Sequence, residues 1–475
     1  MATPAGTPDQ PLRVAVVGSG PAGFYAAGHL LKAKQLDVSV DMFDRLPTPF
    51  GLVRAGVAPD HPKIKSVIRV YEKTAADDAF NFFGNVRVGH DVAHAELARH
   101  YHAVIYAVGA QTDRQLGIPG EELPGSWAAT EFVAWYNGHP DFRDLEFDLS
   151  CATAAVVGNG NVAMDVARML VLPRAELEAT DTADYAIEAL AQSAVEEVVI
   201  LGRRGPAQAA FTNPELRELG ELTDADVMVD PAELEVDQHS ARMIEHDGEL
   251  TARRNVEILR EFAGRPLQGK RKRVTLRFLR SPVAIHGDGC ARSVELVRNE
   301  LHHGGNGSMR AQATGEHEVL DAGLVLCSIG YRGVPIDGVP FDEWQGTVPN
   351  EEGRVIDPHD QHSVDGVYVV GWIKRGPNGV IGTNKRDALE TVTNLLEDLA
   401  EGRLPVPDEP DSAAIEALVA ERQPELVRYA GWELIDAAEQ AAGEPLGRPR
   451  VKLTRVEEMV DVALGRERTG GRSAA

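Results

Sequence analysis

The feature that most constrains this chain is a passage that occurs twice. Arg13-Val-Ala-Val-Val-Gly18-Ser-Gly20-Pro-Ala-Gly23 leads into an apolar, Ala-rich run to Leu31. Ala154-Ala-Val-Val157-Gly158-Asn-Gly160-Asn-Val-Ala163 leads into a similar run from Met164 to Leu170. Each reads as a short buried strand, a glycine turn and a helix with apolar residues at helical spacing. The first glycine permits a tight turn, the second lets the backbone approach a pyrophosphate, and the third allows close helix–strand packing. The pyrophosphate then lies where the free N–H groups and dipole of the helix favour an anion. Two such units, about 140 residues apart, imply two nucleotide-binding folds. The length agrees, since 475 residues exceed one comfortable core.

The end of the next strand distinguishes the two sites. Asp44 ends the strand Val38 to Phe43, where a carboxylate accepts from ribose hydroxyls and repels a 2′-phosphate. The first site is therefore expected to hold an unphosphorylated adenosine, as in FAD. The strand Val198 to Leu201 ends instead in Gly202-Arg203-Arg204-Gly205, and two guanidiniums there suit the 2′-phosphate of NADP. Discounted for exposure, the pair supplies about 2–4 kcal/mol, roughly a 30- to 1000-fold preference for NADPH over NADH. His102 to Val108, Ala322 to Ile329 and Val367 to Val370 are apolar runs ending in or beside glycine, and read as strands returning to these sheets. Beyond Leu404 a Pro-rich linker precedes Ala413 to Ala442, which reads as helix and short loop. The tail after Arg466 is expected to be disordered.

Charge and cysteine content narrow the function. With 48 Lys and Arg against 73 Asp and Glu, the net charge of −25 excludes generic binding to nucleic acid or anionic membranes. Cys151, Cys290 and Cys327 form no C-x-x-C and fall short of a four-thiolate iron–sulfur set. If single electrons leave this protein, another protein has to carry the cluster. No pattern requires a metal. The residues before Arg13 form no secretory apolar region, and no run approaches the roughly 18 apolar residues of a membrane span. A cytoplasmic protein is expected, and a monomer is favoured.

The motif order resembles the adrenodoxin reductase family of ferredoxin–NADP reductases, in its actinobacterial form, from about Arg13 to about Leu396. The resemblance is carried by Pro47-Thr-Pro-Phe-Gly-Leu-Val-Arg-Ala-Gly-Val-Ala-Pro-Asp-His-Pro62, Gly158-Asn-Gly-Asn-Val162, Gly202-Arg-Arg-Gly205 and Gly371-Trp-Ile-Lys-Arg-Gly-Pro-Asn-Gly-Val-Ile-Gly382. It implies an α/β fold of two Rossmann-like nucleotide-binding domains, with the NADP domain (111–331) inserted into the FAD domain. The FAD domain would comprise 1–110 and 332–475, including a C-terminal helical extension after about 405. FAD contacts would come from Gly18, Gly20, Ala22, Gly23, Asp44, Leu52, Val88, Trp372, Gly379, Val380 and Ile381. NADP contacts would come from Arg114, Asn159, Gly160, Asn161, Val162, Arg203, Arg204 and Glu215, with Gly379 near the nicotinamide. Two positions depart from the family pattern. Asp44 stands where Glu is common, and Asn378 where Thr is frequent.

The activity implied is an FAD-dependent ferredoxin–NADP(+) reductase, which takes hydride from NADPH and passes single electrons to a ferredoxin-type iron–sulfur protein. An NADPH dehydrogenase (diaphorase) with a quinone or small-molecule acceptor stays open, because its nucleotide sites would look the same. Because the cofactors carry the redox chemistry, few side chains are candidates for catalysis. They are His61 in Asp60-His61-Pro62, Glu215 in Phe211-Thr-Asn-Pro-Glu-Leu-Arg, and Asp165, expected to link the site to His61. A cap-region histidine and a first-turn helix acid are the plainer readings of the first two. Ferredoxins are usually acidic, which draws attention to residues 251–280. There Arg253, Arg254, Arg260, Arg265, Lys270, Arg271, Lys272, Arg273, Arg277 and Arg280 face only Glu257 and Glu261 in sequence. The segment is expected to contribute a basic docking face, the alternative being a solvated surface with distributed charge.

Overall fold

The computed structural model describes residues 5–246, 250–304 and 309–466. The tail beyond Arg466, expected from the sequence to be disordered, lies outside the described residues. The chain forms two compact units, Met1–Val57 with His61–Thr112 and Tyr331–Ala475, and Ala58–Asp60 with Asp113–Gly330.

The first unit is built on the strand Leu12–Val17, buried at every residue as befits a parallel strand covered on both faces. Val38–Phe43 and Ala103–Tyr106 flank it in parallel. Phe80–Phe83 and Ser363–Val369 extend the parallel array, and Arg354–Ile356 and Asn350–Glu351 add an antiparallel edge. The chain fills one side of Leu12–Val17 before crossing to the other, so the C-terminal end of that strand is a topological switch point. Open α/β sheets bind ligands at such points. The C-terminal extension folds as the helices Ser412–Arg422, Tyr429–Gly443 and Val456–Ala463. It belongs to the core of this unit rather than being an appendage. Trp432, Ile435, Met459 and Val460 pack with Phe24, Phe50 and Tyr71, while Val427 exchanges backbone bonds of 2.8 and 2.9 Å with Gly84.

The second unit repeats the plan with a six-stranded parallel sheet among the described residues. Its order is Ser126–Ala128, Leu324–Cys327, Thr153–Val157, Glu197–Gly202, Lys272–Phe278, Ala225–Val229. Thr153–Val157 again lies at the switch point, between Glu197–Gly202 and Leu324–Cys327. The fold class is the one expected, mixed α/β with parallel sheets. The unit also carries a three-stranded antiparallel sheet, Arg280–His286, Ser293–His303 and Met309–Asp321, that the sequence reading does not foresee. Among the described residues no helix is long and apolar enough to cross a membrane.

Candidate functional site: two nucleotide cradles

In the first unit the turn Gly18-Ser-Gly20 joins Leu12–Val17 to the helix Pro21–Leu30. Gly18 sits at φ +104°, and a Cβ there would lie 2.6 Å from the carbonyl oxygen of Ala107. A Cβ at Gly23 would lie 2.1 Å from the Gly18 oxygen, so the third glycine is required by helix–turn packing. Gly20 has the opposite character. Nothing lies within 4 Å of where its Cβ would be, which leaves room for a phosphate to approach the backbone. Gly51 borders this space, with its would-be Cβ 3.0 Å from Gly20 Cα. The late motif arrives here too, because a Cβ on Gly371 would meet the Ala22 side chain at 2.7 Å.

Asp44 is tied to the turn itself. Its Oδ2 accepts from the Ser19 N–H at 3.0 Å and the Ser19 hydroxyl at 2.5 Å, and its Oδ1 accepts from Leu46 N–H at 2.9 Å. A carboxylate has about four lone-pair sites, so capacity for a ribose hydroxyl survives. Leu52 is exposed at the start of Leu52–Ala55, and Val88 is half-buried. Trp372 lies 5.0 Å from the Tyr331 ring at a tilt of 43° and donates its indole N–H to the Asn378 carbonyl at 3.2 Å. Gly379 (φ +80°), Val380 and Ile381 open the long helix Ile381–Ala400. His61, also in this unit, is buried at the N-cap of Pro62–Lys65, where its side chain makes no cap hydrogen bond.

The second unit repeats the turn with Gly158-Asn-Gly160 before the helix Asn161–Val171. Gly158 lies at φ +122°, where a Cβ would approach the Ser328 oxygen to 2.1 Å, and Gly160 again faces open space. Ala163 stands in place of a third glycine and is fully buried. The carbonyl of Asn159 accepts from Ala210 N–H at 3.0 Å and Phe211 N–H at 3.1 Å, and Asn161 Oδ1 accepts from Thr212 N–H at 2.8 Å. Val162 is half-buried. Arg203 is exposed and Arg204 half-buried at the end of Glu197–Gly202, and neither guanidinium has a hydrogen bond or ion pair among the described residues. Burial, and then Arg203, lower the pKa of Arg204. Arg114 is exposed, its N–H bonded to the Gly330 carbonyl at 3.0 Å.

Glu215 and Asp165 meet on a residue that sequence reading overlooks. Arg168, with its side chain only 3% exposed, donates to Asp60 at 2.9 and 3.0 Å, Asp165 at 2.9 Å and Glu215 at 3.2 Å. Burial opposes the charge on Arg168, but hydrogen bonding to Asp60 and the fields of Asp165, Asp60 and Glu215 outweigh it and raise its pKa. A lone arginine one turn after Asp165, in the otherwise apolar run Val166-Ala-Arg-Met-Leu-Val171, was the available sign. Asp387 is a second omission. Its Oδ2 accepts from the Gly371 N–H at 2.5 Å and from Arg375 at 3.0 Å, fixing the backbone beside Trp372.

Part of the basic stretch is ion-paired, Arg253 and Arg265 with Glu257 and Glu261, each four residues away, and others with acids distant in sequence. Arg271 pairs with Asp224 at 2.7 Å, Arg277 with Glu233 at 2.8 Å, and Arg280 with Glu318 at 2.7 Å. Lys270 and Lys272 donate to the carbonyls of Leu222 and Leu170. Lys272 is buried, and burial followed by repulsion from Arg271 lowers its pKa to about 8. Arg254 and Arg260, exposed on the helix Leu250–Gly264, have no partner among the described residues.

Residues 12–382 match the family model described as pyridine nucleotide-disulphide oxidoreductase. The chain is 52% identical over 468 residues to NADPH-ferredoxin reductase FprA of Mycobacterium tuberculosis, covering 96% of this chain and 100% of that one. It is 43% identical over 470 residues to the mitochondrial NADPH:adrenodoxin oxidoreductase of Salvelinus fontinalis, covering 97% and 92%. The solved structure of Mycobacterium tuberculosis FprA in complex with NADPH superposes with a TM-score of 0.91 at 51% identity, over 96% of this chain and 100% of that one.

Proposed function

The chain belongs to the pyridine nucleotide-disulphide oxidoreductase family, and on that premise we propose that it is an FAD-dependent ferredoxin–NADP(+) reductase oxidising NADPH. The observation that carries the choice of NADPH is that the guanidiniums of Arg203 and Arg204, at the strand end beside the second cradle, have no partner among the described residues. When bound, FAD supplies acceptance of a hydride from NADPH and release of its two electrons singly to an iron–sulfur protein. The glycine turns fit both groups, because Gly20 and Gly160 leave the backbone open to a pyrophosphate.

The chain's own residues bind and orient. Gly18, Gly20, Ala22 and Gly23 hold the FAD pyrophosphate, and Asp44 takes a ribose hydroxyl on lone pairs that Ser19 and Leu46 leave free. Leu52, Val88, Trp372, Gly379, Val380 and Ile381 wall the flavin. Asn159, Gly160, Asn161, Val162 and Arg114 hold NADPH, with Arg203 and Arg204 on its 2′-phosphate. His61 and Glu215 assist at the reacting end, and Asp165 acts through Arg168 as a positioning residue. The acceptor is a ferredoxin-type protein. Arg254 and Arg260, exposed and without an ion-pair partner among the described residues, are the cations of that stretch offered to an acidic surface. A cytoplasmic monomer completes the proposal.

The test is anaerobic titration of the purified protein with NADPH, then addition of an oxidised ferredoxin while both chromophores are followed. Flavin bleaching by NADPH but not NADH, followed by reduction of the iron–sulfur centre, is the expected result. Bleaching without transfer to any of several ferredoxins would move the acceptor to a quinone or small molecule. Absence of bound flavin would overturn the proposal.

A further inference from the structure

Phe50 and Gly51 both adopt the left-handed backbone region, at φ +84° and +49°. A phenylalanine held there has to be fixed by its surroundings. Its N–H donates to the Ser19 carbonyl at 3.0 Å, so the strained pair lies directly against the first glycine turn. The clamp comes from 385 residues further along the chain. Arg54, at the end of the same short helix as Leu52, donates Nη1 to Glu439 Oε2 at 2.9 Å and Nη2 to Oε1 at 2.5 Å. The Glu439 side chain is 0% exposed. It also accepts from Arg450 at 3.1 Å and from Leu453 N–H at 2.8 Å, while Lys452 Nζ donates to the Arg54 carbonyl at 3.1 Å. The Arg54 guanidinium lies 5.3 Å from the ring centre of Trp432, and Trp432 meets Phe50 edge-on at 5.6 Å. Burial would raise the Glu439 carboxyl, but Arg54 and then Arg450 hold it below the usual carboxylate range.

Apolar residues could join two surfaces with as much stability as a buried ion pair. What the paired fork adds is a fixed orientation. We propose that Glu439 is a positioning residue for the FAD site: through Arg54 it locks Phe50–Ala55 against Ser19–Gly20 and so sets the cradle wall that carries Leu52. The C-terminal helices thereby act on the cofactor without touching it. This rests on reading the first cradle as the FAD site.

Glu439→Gln and Arg54→Lys in the full chain test it. Three quantities are read: FAD affinity by flavin fluorescence, the position of the flavin absorption band, and affinity of the second cradle for 2′,5′-ADP. Both variants are expected to lose about tenfold in FAD affinity with a shifted flavin band, while 2′,5′-ADP binds as in the parent. Should Glu439→Gln fail to fold, Arg54→Lys carries the test, because it keeps both charges and loses only the fork. Unchanged FAD affinity and flavin band in Arg54→Lys, or equal loss at both cradles, overturns the proposal. A parent protein that binds no FAD overturns the site reading itself, and is distinguished because the variants are then irrelevant.

Discussion

At the first glycine turn, the acid that ends the neighbouring strand is bonded back to the turn, with Ser19 and Leu46 already on Asp44. At the second, the equivalent strand end carries Arg203 and Arg204, with no partner among the described residues. The turns beneath are the same device, each with a left-handed first glycine backed by a carbonyl and an open second glycine. At the first strand end the acid is therefore anchored by the turn before any ligand arrives, and its charge disfavours a 2′-phosphate. The other holds two cations close together, and a dianion relieves their repulsion. On the function proposed, selectivity between the two nucleotides would be set at the strand ends, while the turns would supply an affinity common to both.

The comparison is broken most violently by filling the first glycine of either turn. Gly158→Ala places a Cβ 2.1 Å from the Ser328 oxygen, and Gly18→Ala one 2.6 Å from the Ala107 oxygen, both at positive φ. Each substitution is expected to destabilise the protein by about 2–4 kcal/mol. Each should abolish binding at its own cradle while the other persists. Thermal unfolding with separate FAD and 2′,5′-ADP titrations reads this out, and joint loss would show that the cradles are not independent.

The strand ends come next. Removing both guanidiniums, Arg203→Ala with Arg204→Ala, should erase a 30- to 1000-fold preference for NADPH, on the order of 2–4 kcal/mol. The loss should fall on the NADPH KM and leave that for NADH nearly unchanged. A double variant that still prefers NADPH would place phosphate recognition elsewhere, with Arg114 the next residue to test.

Legibility in the sequence depends on how local each feature is. The strands, turns and helices of both cradles could be read because apolar period and glycine spacing are written in consecutive residues. Arg203 and Arg204 were legible for the same reason. The partners of Arg277 and Arg280 were not, since Glu233 and Glu318 lie some 40 residues away in either direction. Part of the apparent basic stretch is thus taken up in ion pairs with distant acids. Met309–Asp321 escaped notice because its residues are mostly polar and exposed, leaving no alternation to detect. Glu439 and Arg54 show the limit most clearly, for nothing in either neighbourhood points to the other.

A smaller effect is expected at Asp44. In Asp44→Asn one carboxylate oxygen becomes an amide NH2, so the acceptor is kept for Ser19 or for Leu46 but not for both, and the negative charge is gone. FAD affinity should fall about three- to tenfold, the value of one charge-assisted hydrogen bond partly compensated. Discrimination against a 2′-phosphorylated adenosine at the first cradle should relax as well. Competition titrations with AMP and 2′,5′-ADP measure both, and unchanged discrimination would refute the charge argument for this cradle.

The last difference is one of pH. Asp113, in the second unit beside Arg114, has its carboxyl pushed up to about 7 by burial and then by Glu131, with Thr130 donating to it. The unfolded chain releases that proton near pH 4, so between about pH 4 and 7 the folded state binds more protons. Its contribution to stability is complete below about pH 4 and is lost as pH rises through about 7. Asp113→Asn keeps a neutral side chain of the same shape and should flatten this slope, leaving the variant more stable than the parent at about pH 8. Melting temperatures of the two proteins across this range, each with and without 2′,5′-ADP, provide the comparison. If the curves run parallel, Asp113 is ionised in the folded protein and its burial is compensated by groups not yet identified. If they converge below about pH 4 and separate between about pH 4 and 7, the second cradle carries a titrating carboxyl beside a nucleotide-binding arginine. Its affinity for NADPH should then track the same curve, while FAD affinity at the first cradle does not.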